Sequence, residues 1–241
     1  MAIELKKLDS WQKAVQAISS FISEGNFHFS DKGILFRAID PSQIVLVDLF
    51  LDKKIFDRYA VEPAFTGVDI SELSKIMLRA LPGDRMILDL TENEMFLTFE
   101  GDLVRKFSLP LIDVSEEEPK VPQVGFDSHI EINARIFREV LKDAALFGSA
   151  VVINVKKGKL SIEAKGSQGT MRSDQSNGKS VSVKSSADTQ SKYSLNFLQN
   201  IVREADADKK ILLELKTDSP MKISYPIGDS EINFYLAHMI L

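Results

Sequence analysis

Apolar residues in this chain follow two periods, and the switches between them mark out its elements. Trp11, Ala14, Val15, Ile18 and Ile22 recur at helical spacing, with Lys13, Gln16, Ser19 and Ser20 on the other side, which predicts an amphipathic helix. Beyond Ser30 the period shortens to two. Ile34, Phe36 and Ala38 alternate after the turn Asp31-Lys32-Gly33, a break follows at Asp40-Pro41-Ser42, and Ile44 to Leu51 runs without a charge before Asp48. Pro41 fixes φ and has no N–H for a ladder, while β-branched and aromatic residues suit a pleated surface, so two strands with a projecting break are predicted. Asp69, with Glu72 three residues on, reads as the N-cap of a second helix whose stripe is Leu73, Ile76, Met77 and Ala80. Pro82-Gly83-Asp84 ends it. Strands follow at 86 to 91, 95 to 100 and 103 to 109, with turns at Thr91-Glu92-Asn93 and Gly101-Asp102.

The pattern then repeats. A shift of 125 positions lays Trp11 on Ile136, Val15 on Val140, Phe21 on Leu146, Gly33 on Gly158 and Leu35 on Leu160. The same shift lays Ile70 on Leu195, Leu73 on Leu198, Ile76 on Ile201, Ala80 on Ala205 and Met86 on Ile211. One offset that serves two separated segments points to duplicated halves, each a helix, a strand pair, further strands, a second helix and a strand-rich end. In the second half Asn133 reads as a cap for a helix from Ala134 to Phe147, strands at 151 to 155 and 159 to 164 pair through Lys157-Gly158, and Leu195 to Ala205 forms the fourth helix. Residues 113 to 126, DVSEEEPKVPQVGF, hold three adjacent glutamates, two prolines and a glycine, which reads as an exposed connector. The resulting division is a domain over 1–114, a connector over 115–126 and a domain over 127–241. The stretch from Gly166 to Ser191 is rich in Ser, Gly, Gln and Asn, so at least its middle is expected to be mobile loop and the strands within it weak.

Composition narrows the class without choosing a function. The chain has 241 residues, 44% hydrophobic and 27% charged, with no cysteine, so disulfides and thiol chemistry are excluded. No apolar run reaches the length of a membrane span, and MAIELKKLDS lacks the apolar core of a signal peptide; an intracellular protein is expected. The net charge of -5 argues against an outer surface that wraps nucleic acid. Its distribution matters more than its sum. Asp113, Glu116, Glu117 and Glu118 gather acid on the connector, which leaves the helices relatively basic: Lys13, Lys75, Arg79, Arg138, Lys142 and Arg203 lie on their polar sides.

Catalytic chemistry finds little support. His28, His129 and His238 are far apart without His-Glu-x-x-His spacing, which leaves no zinc motif, and no cofactor is implied. Asn177-Gly178-Lys179-Ser180 resembles the end of a phosphate loop, but Ser173 stands where such a loop carries glycine and no strand-to-helix context surrounds it. Asp40, Asp48 and Asp52 have no partner base and read as solvated or capping groups.

The segment SDKGILFRAIDPSQIVLVDLFL (30–51) resembles the first-domain signature of sliding DNA clamps of the PCNA type, where an Asp-Ser-Ser or Asp-Pro-Ser segment follows a strand that begins after a Gly turn. Val68-Asp69-Ile70 leading into Leu73-Ser74-Lys75-Ile76, the run Phe107 to Val114, and Phe234-Tyr235-Leu236-Ala237 extend the likeness over nearly the whole chain. The resemblance implies an α+β fold of two similar clamp domains, antiparallel sheets outside and four helices inside, forming part of a ring. It implies a non-enzymatic processivity factor that encircles double-stranded DNA without reading sequence and serves as a platform for DNA polymerase, ligase, flap nuclease and the clamp loader, with no membrane partner. It places the six cations above in the central hole, facing phosphates, with attraction moderated by neighbouring serines and glutamines. It also places Ile39, Gln43, Ile44, Leu46, Val121, Pro220, Tyr235, Leu236 and Ala237 around a groove that takes short peptide motifs through aromatic anchors. Ring closure is implied between an edge strand at 103–109 and one at about 168–175 of the next copy in a trimer. The alternative is a specialised subunit of a heterotrimeric or checkpoint-type clamp. The site of action would be the cytoplasm or nucleoid of a prokaryote-like cell, or the nucleus of a eukaryote. Ser19, Leu78 and Asn196 stand where relatives often carry a basic residue, and the chain ends Ala237-His238-Met239-Ile240-Leu241 where such clamps commonly end in Ala-Pro-Lys or Ala-Pro-Arg followed by an acidic tail.

Overall fold

The structure, a computed structural model, describes residues 2–115 and 118–240. Glu116 and Glu117 of the acidic run lie outside the described residues. The chain divides into two compact units: the first comprises 1–41, 47–120 and 227–232, the second 42–46, 121–226 and 233–241.

Through the first 110 residues the elements are β1 (Ala2–Leu5), α1 (Asp9–Ser19), β2 (Glu24–Ser30), β3 (Gly33–Ile39), β4 (Val45–Asp52), β5 (Arg58–Ala60), β6 (Ala64–Asp69), α2 (Ile70–Met77), β7 (Arg85–Leu90), β8 (Glu94–Glu100) and β9 (Val104–Pro110). After residue 127 come β10 (Ser128–Asn133), α3 (Ala134–Ala145), β11 (Ala150–Lys156), β12 (Lys159–Gly166), β13 (Gly169–Gln175), β14 (Val181–Ser185), β15 (Thr189–Ser194), α4 (Leu195–Ile201), β16 (Lys210–Leu215), β17 (Met221–Ile227) and β18 (Ser230–Leu236). The 125-residue offset carries β6 (64–69) onto 189–194, the span of β15, and β7 (85–90) onto 210–215, the span of β16. Strand order obeys the same shift: β5-β1-β7-β8-β9 recurs as β14-β10-β16-β17-β18, and β4-β3-β2-β6 recurs as β13-β12-β11-β15. The fold is therefore α+β, with antiparallel ladders and two helices per repeat.

The predicted stripe of α1, Trp11, Ala14, Val15 and Ile18, is buried, and so is Ile22 beyond its end; in α2 Leu73 and Met77 are buried while Ile76 and Ala80 are half-buried, and α3 buries Ala134, Phe137, Val140, Leu141 and Ala144. Trp11 stacks within 5.7 Å of Phe27 on β2, which brings β2 and α1 into one core. Helix starts follow the sequence signals, since the Asp69 carboxylate accepts from Glu72 N at 2.8 Å and the Asn133 side chain accepts from Arg135 N and Ile136 N. The ends come earlier than the apolar stripe implies. After Met77 the chain tightens into i→i−3 bonds, Arg79 N to Ile76 O and Ala80 N to Met77 O, and a similar turn follows Ala145. Helices pair through side chain to backbone bonds: Gln12 and Gln16 of α1 donate to Met77 O and Ser74 O on α2, and Gln199 of α4 donates to Leu141 O on α3.

Gly166 to Ser191 has a loop at its middle, 176–180, and is otherwise mostly strand, carrying β13, at the implied edge position, β14 and the start of β15. Val181 and Val183 are buried along with the hydroxyls of Thr189 and Ser191. Thr189 Oγ1 and Ser128 Oγ lie 2.9 Å apart in the core, while Ser191 Oγ donates to Lys216 O and accepts from Asp218 N. Buried hydroxyls with partners sit in a sheet without penalty, so low hydrophobicity did not mean disorder.

Candidate functional site

In the first unit the polar faces of α1 and α2 carry Lys13, Lys75 and Arg79. Lys13 is half-buried, while Lys75 and Arg79 are exposed. The ammonium of Lys75 donates to Glu72 at 2.6 Å, one turn earlier, and this carboxylate raises its pKa through the hydrogen bond and its charge. Arg79 lies past the end of α2, and its carbonyl accepts from Arg105 at 2.5 Å. Arg105 on β9 also pairs with Asp84, a buried carboxylate that accepts from Leu81 N at 2.8 Å. Asp84 and Arg105 thus tie the turn after α2 to β9; Pro82-Gly83-Asp84 signalled the turn, but nothing local signalled its cation.

In the second unit the cations divide by role. Arg138 of α3 is half-buried, and one guanidinium nitrogen donates to Ala205 O at 2.9 Å, Arg203 O at 3.0 Å and Val202 O at 3.4 Å, just beyond α4. It caps the carbonyl end of that helix. Lys142 pairs with Glu139 at 2.8 Å on the exposed face of α3, and Arg203 pairs with its neighbour Glu204 at 3.0 Å. The Lys75–Glu72 and Lys142–Glu139 pairs are open to water, where such contacts contribute little and exchange readily for another anion.

The groove residues separate into surface and core. Gln43 is exposed and sits at φ 59°, a left-handed conformation uncommon outside glycine, directly after Pro41-Ser42. Ile44, Val121, Pro220 and Ala237 are half-buried, Tyr235 is 9% exposed, and Ala237 N donates to Ile44 O at 2.9 Å, which joins the segment after Pro41 to the C-terminal strand end. Leu46 is 5% exposed and Leu236 wholly buried, so those two side chains belong to the core beneath any groove. Ile39 is 44% exposed and falls in the first unit.

The carboxylates considered for catalysis have structural partners. Asp48 accepts from Arg37 at 2.8 Å, and Asp52 accepts from Lys54 N to cap a short turn. Asn177-Gly178-Lys179-Ser180 joins β13 to β14, strands of two different sheets, with Gly178 N donating to Val181 O; this is a strand-to-strand turn and not a phosphate loop. Among the described residues no cluster of His, Asp or Glu has the form of a metal site.

Comparison with known proteins fits this geometry. The family models for the N-terminal and C-terminal domains of proliferating cell nuclear antigen match residues 1–118 and 120–240. A DNA polymerase sliding clamp of Methanococcus vannielii is 30% identical over 237 residues, 95% of each chain, and DNA polymerase sliding clamp 1 of Thermococcus kodakarensis is 31% identical over 228 residues, 92% of each. Among solved structures, proliferating cell nuclear antigen from Thermococcus kodakaraensis superposes with a TM-score of 0.94 at 24% identity, covering 99% of both chains. The Entamoeba histolytica protein superposes at 0.91 and 23% identity, covering 99% of this chain and 98% of that one. With two domain models matched in order, and relatives aligned along nearly their full length, the chain belongs to the proliferating cell nuclear antigen family.

Proposed function

We propose that this chain is a DNA sliding clamp whose copies close into a ring around duplex DNA and act as a processivity factor and docking platform. The carrying observation is the full-length match to both clamp domains, set on a repeat in which each half supplies two helices, with cations on α1, α2 and α3. The family is a non-catalytic processivity factor, and the chain is not an enzyme.

In this reading domains over 1–114 and 127–241 flank a connector over 115–126, the sheets face outward, and the four helices line the bore. Lys13, Lys75, Arg79, Lys142 and Arg203 meet phosphates through exchangeable contacts, which gives affinity independent of sequence and sensitive to salt. Arg138 of α3 contributes its field from a position fixed by the carbonyls that follow α4. β9 and β13 each stand at the end of their sheet with one ladder side unpaired, which suits them to close a trimer edge to edge. Ile39, Gln43, Ile44, Val121, Pro220, Tyr235 and Ala237 take short motifs from a DNA polymerase, the partner that the relatives' names support, and from ligase, flap nuclease and clamp loader. The protein acts inside the cell, on the chromosome.

Linkage provides the test. The clamp is loaded onto a nicked circular plasmid with its loader, the plasmid is cut once, and protein retained on DNA is measured at moderate salt. Retention on the circle and loss after cutting are expected, together with a native mass of three chains. Equal retention on both DNA forms overturns the proposal.

A further inference from the structure

The start of the connector is fastened to the first unit at successive points. Leu111 N donates to Asn93 O at 2.8 Å and Ile112 N to Gly67 O at 3.0 Å; Asn26 then donates from its side chain to Ser115 O at 2.9 Å. Farther on, the two carboxylate oxygens of Glu118 face different cationic groups: Oε1 lies 3.1 Å from His28 Nε2 on β2, and Oε2 lies 3.4 Å from an Arg37 nitrogen on β3. Both anchors are themselves held. Arg37 Nε donates to Asp48 on β4 at 2.8 Å, and the His28 ring packs against Phe65 on β6 with centroids 4.1 Å apart at 82°. These groups border a 360 Å³ cavity between the connector and the sheet.

We propose that Glu118 is a latch: one carboxylate, held by His28 and Arg37, closes the connector onto the first unit. The charged groups that face the cavity among the described residues are Glu24 and His28 on β2, Arg37 on β3 and Glu118, with Asp48 behind Arg37. Arg37 is shared between Asp48 and Glu118, so the His28 contact is the second point that fixes the Glu118 carboxylate. The latch stands independently of the function proposed above; only its consequence, a looser or tighter wall for the peptide groove, rests on that function.

Amide hydrogen exchange tests the latch without any partner. In Glu118→Gln the amides of Leu111, Ile112 and Ser115 exchange at least threefold faster than in the parent protein at pH 6, while amides of β7 and β8 are unchanged. His28→Gln accelerates the same amides under the same conditions. The double variant exchanges no faster than Glu118→Gln alone, because both changes remove one interaction. Unchanged connector exchange in Glu118→Gln overturns the latch, and unchanged exchange in His28→Gln removes His28 from it. Affinity for a groove peptide, measured on the same variants, reports separately on the functional reading.

Discussion

Arg138 separates two uses of one cation. A guanidinium that closes α4 costs stability when removed, whereas one that meets phosphate costs only DNA binding. Its nitrogen lies 2.9 and 3.0 Å from Ala205 O and Arg203 O, two bonds from a charged donor. Each such bond contributes about 1.5–3 kcal/mol net, holding the arginine side chain costs up to about 2 kcal/mol, and the helix dipole adds about 0.3–1 kcal/mol. Because both bonds come from one nitrogen on a half-buried side chain, the low end applies, and Arg138→Met is expected to lose about 2 kcal/mol. Lys142, four residues on, pairs with Glu139 with both side chains more than 60% exposed, so Lys142→Met should lose no more than about 0.5 kcal/mol. Urea unfolding compares them. With a slope of about 2–3 kcal/mol/M, the Arg138→Met midpoint falls by roughly 0.7–1 M and the Lys142→Met midpoint by less than about 0.3 M. The salt dependence of DNA binding reverses the order: Lys142→Met lowers the slope by about 0.9 for each phosphate no longer neutralised, and Arg138→Met leaves it nearly unchanged. An Arg138→Met protein that unfolds with the parent midpoint yet binds DNA with a reduced salt slope would refute the capping role.

Three other perturbations have defined outcomes. Gly67→Ala puts a Cβ 2.0 Å from Ile112 O, where backbone must move; a loss of about 1–3 kcal/mol and faster exchange at Ile112 are expected, and a parent-like Tm sinks the close-approach argument. Burial pushes Tyr193 up to about 12 and Tyr225 higher still, so these phenols stay protonated in the folded chain above pH 10 while the unfolded chain ionises. Stability is therefore whole below pH 10 and falls by about 1.4 kcal/mol per unit per buried tyrosine from 10 toward 12, and a native absorbance titration in which all four tyrosines ionise near 10 would contradict it. Ile44→Ala and Tyr235→Ala should each weaken capture of a polymerase-type peptide about tenfold or more by calorimetry, with unfolding midpoints lowered only modestly; unaltered affinity removes those side chains from the groove.

How much of the fold could be read from the chain depended on whether local pattern or distant partnership decided an element. The helices were legible because stripe and cap lie within a few residues of one another, as in Asp69 with Glu72 N. Their ends were not, because the chain just past α4 is held by Arg138, which reaches Val202 O from 64 residues earlier. The strand at Glu24–Ser30 went unread although Phe27 and Phe29 alternate with His28, since Gly25 and Asn26 broke the apolar signal. Composition alone did not fix the strand bounds in the polar stretch after Gly166, yet the repeat already located them. Shifting β4 (45–52) by 125 gives 170–177, which overlaps β13 (169–175), and shifting β6 gives β15, so duplication should have outweighed low hydrophobicity.

The candidate site divides along the same line. Polar faces of the helices were visible as spacing, and even the carboxylates that shadow Lys75 and Lys142 sit three residues away, at Glu72 and Glu139. What spacing could not tell was which cations are committed. Arg138 looks like Lys142 on a helical wheel, and only the arrival of the chain after α4 makes one a cap and leaves the other exposed to solvent. His28, Arg37 and Glu118 likewise become a set only when a connector crosses β2 and β3. This follows from what a sliding ring requires. A bore that held phosphates as firmly as Arg138 holds carbonyls would stall, so its mobile cations must be weakly paired and locally encoded, whereas the bonds that keep its helices and connector in place must be specific and reach across the chain.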